Sequence, residues 1–185
     1  MNVLAIDPGP EFSAWVEYDG ESVLDFGKWL NDGVLAKLTT FPRTSLYLAV
    51  EMPACYGMPV GKSIFDTCLM VGRFVQAWGG AADYNLVLRR GRWGPEPDTT
   101  GASGAFPGVC TTLCRHNGAK DKNIRRAILD RFPASGGGAT PQVGTKPKPG
   151  PLYGVSCDVW AALAVAITWW EHKQQTWLNR ENDNG

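Results

Sequence analysis

Apolar residues along the chain fall into short, unbroken runs near the N-terminus and longer, spaced stripes later. Val3-Leu4-Ala5-Ile6 is an uninterrupted run that ends in Asp7, and Pro8-Gly9 then turns the chain away. Phe12 to Tyr18 follows almost at once. Asp19-Gly20 marks a turn, and Ser22 to Gly27 reads as a third strand. The chain therefore opens with a hairpin or meander. This excludes the strand-helix unit of a nucleotide fold, and no Gly-x-Gly-x-x-Gly follows Gly9 to suggest a dinucleotide site. Asn31 to Phe41 is a short helix with a partial apolar face at Leu35 and Leu38, capped by Asn31 or Asp32. Tyr47 to Val50 is nearly all apolar, which suits a central strand covered on both sides. A long crossover separates it from the first strand, so the two can be parallel neighbours. Asp7 and Glu51 then lie at one edge of the sheet, where open sheets place their sites.

The second half is more helical. Ser63 is the expected N-cap of a helix running to Trp78, with Asp66 at the third helical position as in a capping box. Its apolar stripe includes Ile64, Phe65, Cys68, Leu69, Val71, Phe74, Val75 and Trp78, wide for a helix with one covered face, and points to packing on the sheet and on a second subunit. Gly72 in its middle suggests close helix packing, and Gly79-Gly80 ends it. Tyr84 to Leu88 is a fifth strand. Val109 to Cys114 is a short helix, and Asp121 is the expected N-cap of a helix over Lys122 to Phe132. Ala134 to Pro151, rich in Gly and Pro, reads as a partly flexible surface loop. Asp158 opens the strongest late helix, and a polar tail that frays at its end follows Lys173.

Length and composition add few constraints. A chain of 185 residues is most simply one domain, residues 1–185, with room for a proper core. The formal net charge is zero, so total charge gives no argument for nucleic-acid binding, and local clusters must carry it. Five irregularly spaced cysteines without a Cys-x-x-Cys imply reduced thiols. Cys110, Cys114 and His116 are too few for a structural metal site. No signal peptide is visible, and the apolar run Val159 to Trp170 is too short to span a membrane. A cytoplasmic protein without a membrane partner is the expectation.

Candidate chemistry centres on three carboxylates. Hard divalent ions such as Mg²⁺ and Mn²⁺ prefer oxygen ligands, and Asp7, Glu51 and Asp158 can supply them from separate elements. In this reading Asp7 bridges two ions, with Glu51 completing one position and Asp158 the other. Such a pair activates water and stabilises the leaving oxygen of a phosphodiester. Val-Glu-Met-Pro puts Glu51 at the end of an apolar strand, where a charge is costly without a compensating cation or donor. The competing reading makes Asp7 a turn residue, Glu51 an edge carboxylate and Asp158 a plain helix cap. Arg89, Arg90, Arg92 and Trp93 form a compact basic and aromatic stretch suited to gripping phosphates and stacking on a base. Lys120, Lys122, Arg125 and Arg126 make a second basic region, for which ordinary helix-surface charge is the alternative.

The chain resembles the RuvC-like Holliday junction resolvases of the ribonuclease H-like superfamily, especially their bacteriophage and mobile-element relatives. The matching pieces are Ala5-Ile6-Asp7-Pro8-Gly9 with Ser13, Val50-Glu51-Met52-Pro53, Gly61-Lys62-Ser63 through Gly72-Arg73, Gly118-Ala119-Lys120-Asp121-Lys122-Asn123-Ile124-Arg125, and Asp158 through Ala166. They run in order over most of the chain. The resemblance implies an α/β fold with a five-stranded mixed sheet flanked by helices, a homodimer, and paired nicks in four-way or other branched DNA that leave 5′-phosphate and 3′-hydroxyl ends. It implies metal ligation by Asp7, Glu51 and Asp158, with two Mg²⁺ or Mn²⁺ ions per site, and a lysine near the scissile phosphate at Lys120 or Lys122. It also implies junction contacts from Tyr56 and Met58 in the loop after Glu51, with Lys62 nearby, and a home in a bacterial cell or phage-infected host. One position departs from the pattern. The family's further acid, one turn along the last helix, is Ala161 here. Either three acids suffice, or Asp121, otherwise a cap, or a water fills the gap, or the chain is inactive. The rivals to paired nicking are a junction-binding protein with weak catalysis and another nuclease of the superfamily acting on RNA–DNA hybrid. A sugar-kinase-like fold, which shares the strand-ending aspartate, needs two domains and a second phosphate loop that this chain lacks.

Overall fold

The computed structural model describes residues 1–40, 46–54, 57, 59–79, 84–93 and 106–183. Three antiparallel strands come first: β1 (Asn2–Asp7), β2 (Phe12–Tyr18) and β3 (Val23–Leu30). Helix α1 (Asn31–Thr40) then crosses to β4 (Leu46–Met52), and α2 (Lys62–Trp78) to β5 (Tyr84–Leu88). Both later strands run parallel to β1, giving a five-stranded mixed sheet in the order β3-β2-β1-β4-β5. The remaining elements are β6 (Arg92–Trp93) paired with β7 (Phe106–Pro107), α3 (Val109–Cys114), α4 (Asp121–Leu129), β8 (Gly144–Thr145) paired with β9 (Lys148–Pro149), and α5 (Val159–Asp183). This mixed sheet flanked by helices is the ribonuclease H-like α/β fold.

Strand alternation sorts the core into two layers. Leu4, Ile6, Trp15, Leu48 and Val50 face one side, where Val34 and Leu38 of α1 and Val71, Phe74 and Trp78 of α2 cover them. Val3, Ala5, Ala14, Val16 and Ala49 face the other, beneath Leu163, Ala166, Ile167 and Trp169 of α5 and Ile124 and Ile128 of α4. The alanines on the second face let the apolar half of α5 lie close against β1 and β2. Trp169 is fully buried, and its indole N–H donates to the Asn85 side-chain oxygen at 2.8 Å, tying α5 to β5. Burial of each large side chain is worth about 1.5–3 kcal/mol, so this face anchors the helix that carries Asp158.

Several local expectations change. Strand β3 continues to Leu30, past the expected end at Gly27, because its antiparallel ladder with β2 runs to Phe12↔Leu30. Gly61, not Ser63, caps α2. Asp66 makes an i,i+4 ion pair with Lys62 instead of closing a capping box. Gly79 ends the helix at φ 103°, as its lack of a Cβ allows. Lys120 occupies the cap position of α4, and Asp121 is its first helical residue. The polar tail extends α5 to Asp183. No helix among the described residues is long and apolar enough to cross a membrane.

The segment after α4 is a hydrogen-bonded unit and not a loose loop. Gly136 donates to the Pro141 carbonyl at 2.8 Å, Gly137 to Lys148 at 2.9 Å, Gly150 to Val143 at 3.0 Å and Leu152 to Gln142 at 2.8 Å. Its glycines allow backbone to pack on backbone. Gly144 sits at φ +78°, where a Cβ would collide with the Gly150 nitrogen. On α2 the opposite holds. Phe65 is 63 % and Leu69 66 % exposed, and a Cβ at Gly72 would meet nothing within 4 Å among the described residues. The close packing expected at Gly72 is not made among them. Two glycine substitutions should therefore move stability in opposite directions. Gly144→Ala should destabilise by about 1–3 kcal/mol, and Gly72→Ala should stabilise by about 0.5–1 kcal/mol, both read by chemical denaturation.

Candidate active site

The two strand-end acids meet because of sheet register. The β1–β4 ladder pairs Ala5 with Ala49 and Ile6 with Val50, and one further step sets Asp7 beside Glu51. Ala5 and Ala49 face α5, so the residues two along do too. The turn after Asp7 is fixed by a relay. The Gly9 N–H donates to the Ser13 hydroxyl at 3.2 Å, and that hydroxyl donates to Asn31 Oδ1 at 2.7 Å. Asn31 Nδ2 then donates back to the Gly9 carbonyl at 3.0 Å. Ser13 is buried, and a Cβ on Gly9 would collide with the Phe12 carbonyl, so glycine is required there.

Asp158 reaches the same edge from the N-terminus of α5. Its carbonyl accepts the first helical bonds, from Ala161 at 2.9 Å and Ala162 at 3.2 Å. Its carboxylate is held by Lys28 of β3, with Nζ 2.6 Å from Oδ2. Lys28 is in register with Ala14, and Ala14 with Asp7. Lys28, Asp7 and Glu51 thus form a transverse row on the α5 face of the sheet, with Asp158 above it.

Burial dominates the electrostatics. The Asp7 carboxyl is raised from 3.8 to about 8, first by desolvation and then by the charges of Glu51 and Asp158, against which Arg89 and Lys28 act. Glu51 is raised from 4.5 to about 7 by desolvation, opposed by Arg89. The Asp158 hydrogen bond and charge raise Lys28. Two recessed carboxylates that disfavour their own charge suit a hard divalent ion, which would hold both ionised. Asp7 and Glu51 therefore fit one ion. Among the described residues no three His, Cys, Asp or Glu side chains are grouped to hold an ion as they stand, and Asp158 is engaged by Lys28.

The basic residues are unequally placed. Arg89 follows β5 at the same edge, pairs with Asp121, and moderates the charge of Asp7 and Glu51. Asp121 is thus the partner of a guanidinium, and the cap position falls to Lys120. A groove of about 580 Å³ opens between α4 and the start of α5, lined by Arg89, Lys122, Arg125, Asp158 and Trp160. Arg125 lies 4.6 Å from the centre of the Trp160 ring. Lys120, at the α4 cap, is absent from that lining. Arg126 pairs with Asp130 at 2.9 Å, and Lys62 pairs with Asp66 on exposed α2. Arg90 sits in the bend after β5. Tyr56 and Met58 lie outside the described residues, as do the side chains of Arg92 and Trp93.

Comparison with solved structures identifies the frame on which these residues sit. Thermus thermophilus RuvC superposes with a TM-score of 0.57 at 16 % identity, covering 95 % of this chain and 98 % of that one. The T. thermophilus RuvC in complex with Holliday junction substrate gives 0.56 at 15 %, covering 95 % and 97 %. The fold is shared with RuvC. No protein family model matches the sequence, and no curated protein does.

Sequence reasoning missed Lys28. The strand was expected to stop at Gly27, which left Lys28 outside it. Continuing the alternation from Phe26, which packs on the α5 layer, would have put Lys28 on the same face. The pH dependence of the metal-free chain follows from the two carboxyls. Between about pH 4 and 8 the folded state holds protons that the unfolded state has lost, so rising pH favours unfolding. The melting temperature in EDTA should fall by about 4 °C or more from pH 5 to 8.5. Asp7→Asn should flatten most of that slope in a circular dichroism melt.

Proposed function

We propose that the chain is a metal-dependent, structure-selective endonuclease that cuts four-way or other branched DNA by paired nicks, leaving 5′-phosphate and 3′-hydroxyl ends. The observation that carries this reading is the pair Asp7 and Glu51, recessed and adjacent at the ends of parallel strands, on a fold shared with a RuvC described in complex with a Holliday junction. Asp7 and Glu51 would hold the ion. When bound, a divalent ion supplies Lewis acidity and a nucleophile at neutral pH.

The chain's own residues supply the rest. Lys122 and Arg125 line the groove beside Asp158, where they can take the phosphate and neutralise charge as its phosphorus is attacked. The Trp160 ring, beneath Arg125, offers a face for a base displaced at a branch point. Arg89, held by Asp121, keeps a cation against the carboxylates without blocking the groove. Residues 1–185 work as one nuclease domain. Two copies would join through the exposed α2 stripe of Phe65 and Leu69, which has no cover among the described residues.

A junction-binding role without cleavage is the second reading. Ala161 withdraws one acid, and Lys28 occupies Asp158. Nicking of a labelled mobile four-way junction in Mg²⁺ or Mn²⁺ against EDTA separates the two. The endonuclease reading expects paired, metal-dependent nicks, with Asp7→Asn lowering the rate by about 100-fold or more while binding persists. Lys122→Ala should cost more rate than Lys120→Ala. Binding without nicks in either ion would favour the second reading, and preferential cutting of an RNA–DNA hybrid would reassign the substrate.

The dimer has its own test. Phe65→Glu with Leu69→Glu should convert a two-chain particle to one chain in light scattering, with the circular dichroism spectrum unchanged.

A further inference from the structure

The Lys28–Asp158 pair has a role within the reading just proposed and rests on it. Asp7, Glu51 and Asp158 bring three negative charges to the sheet edge, and Arg89, counted with its partner Asp121, adds no net charge to them. One divalent ion together with Lys28 balances those three. Two divalent ions with Lys28 would overshoot by two before any phosphate arrives. The geometry agrees with the count. Lys28 comes from the strand two away from Asp7, in the same transverse row, and its ammonium sits 2.6 Å from Asp158. Ala161, one turn further along α5, offers no carboxylate to build a second ligand set on that side.

We infer that Lys28 stands in place of one of two divalent ions: the site takes a single ion between Asp7 and Glu51, and the Lys28 ammonium, held by Asp158, is the second positive centre. Lys28 is a fixed cation that needs no loading. It presents its half-exposed head group on the side of the row away from Glu51. There it can meet a phosphate oxygen that a second ion would otherwise neutralise.

The test counts ions instead of turnovers. Mn²⁺ binding is measured by isothermal titration on the metal-free chain, with folding checked by circular dichroism. The intact chain should bind one Mn²⁺, and so should Lys28→Arg, which keeps the charge. Lys28→Met frees Asp158 to join Asp7 and should bind two. Lys28→Met combined with Asp158→Asn should return to one. Two ions in the intact chain overturn the inference while leaving a metal nuclease in place. One ion in a folded Lys28→Met chain overturns it too. Absence of any Mn²⁺ binding that Asp7→Asn abolishes overturns the metal-nuclease reading and this inference with it.

Discussion

Two carboxylates at the ends of neighbouring parallel strands repel one another, and the interior behind them gives little dielectric relief. That pairing at a buried edge, with desolvation as its largest cost, is the constraint around which this molecule is arranged. Parallel register makes it unavoidable, because Ala5↔Ala49 and Ile6↔Val50 leave Asp7 and Glu51 nowhere to go but side by side. The protein answers with cations at both flanks of the sheet edge, Lys28 from β3 and Arg89 beyond β5. Neither neutralises the central pair, and desolvation still wins at both carboxyls. An edge tuned in this way is poorly stabilised by itself and receptive to a small hard cation.

The architecture keeps that edge open while burying everything else. The two core layers are unlike in composition. The α1–α2 side is filled by Trp15, Leu38, Phe74 and Trp78, and the α5 side is floored by alanines. Small residues there bring α5 down onto β1 and β2, so that its first turn reaches over the strand ends. A bulkier floor would lift the helix and carry Asp158 away from the row. The glycine-packed segment between α4 and α5 serves the same end, leading the chain into Asp158 through fixed backbone hydrogen bonds.

Much of this was legible in the sequence, for physical reasons that differ by element. The strands β1, β2 and β5 were visible because an apolar run bounded by turn residues has few alternatives, and the acid at the end of β1 marked the sheet edge. The pairing of Asp7 with Glu51 followed from crossover length. Helix caps were read less well, since Ser63 and Asp121 have the right chemistry but other partners nearby: Asp66 is taken by Lys62, and Asp121 by Arg89. Such competition is tertiary and leaves no local mark. Lys28 was hidden for a related reason. An edge strand with one exposed face shows weak alternation, so its true end, and the facing of its last residues, depend on the ladder with β2. The order of the 134–151 segment was also invisible, because glycine and proline density signals either looseness or backbone packed on backbone.

The relay from Gly9 through Ser13 to Asn31 joins parts of the molecule that the sheet separates. Asn31 is the first residue of α1, which lies on the face opposite the carboxylates. Its neighbour Asp32 reaches Arg73 of α2 at 3.6 Å, so the two helices of that layer meet where the relay begins. The backbone turn that aims Asp7 takes part of its stiffness from Pro8 and Pro10, and the rest comes from a helix end on the far side of the sheet. Misplacing that helix by the length of a hydrogen bond would be felt as a misdirected carboxylate.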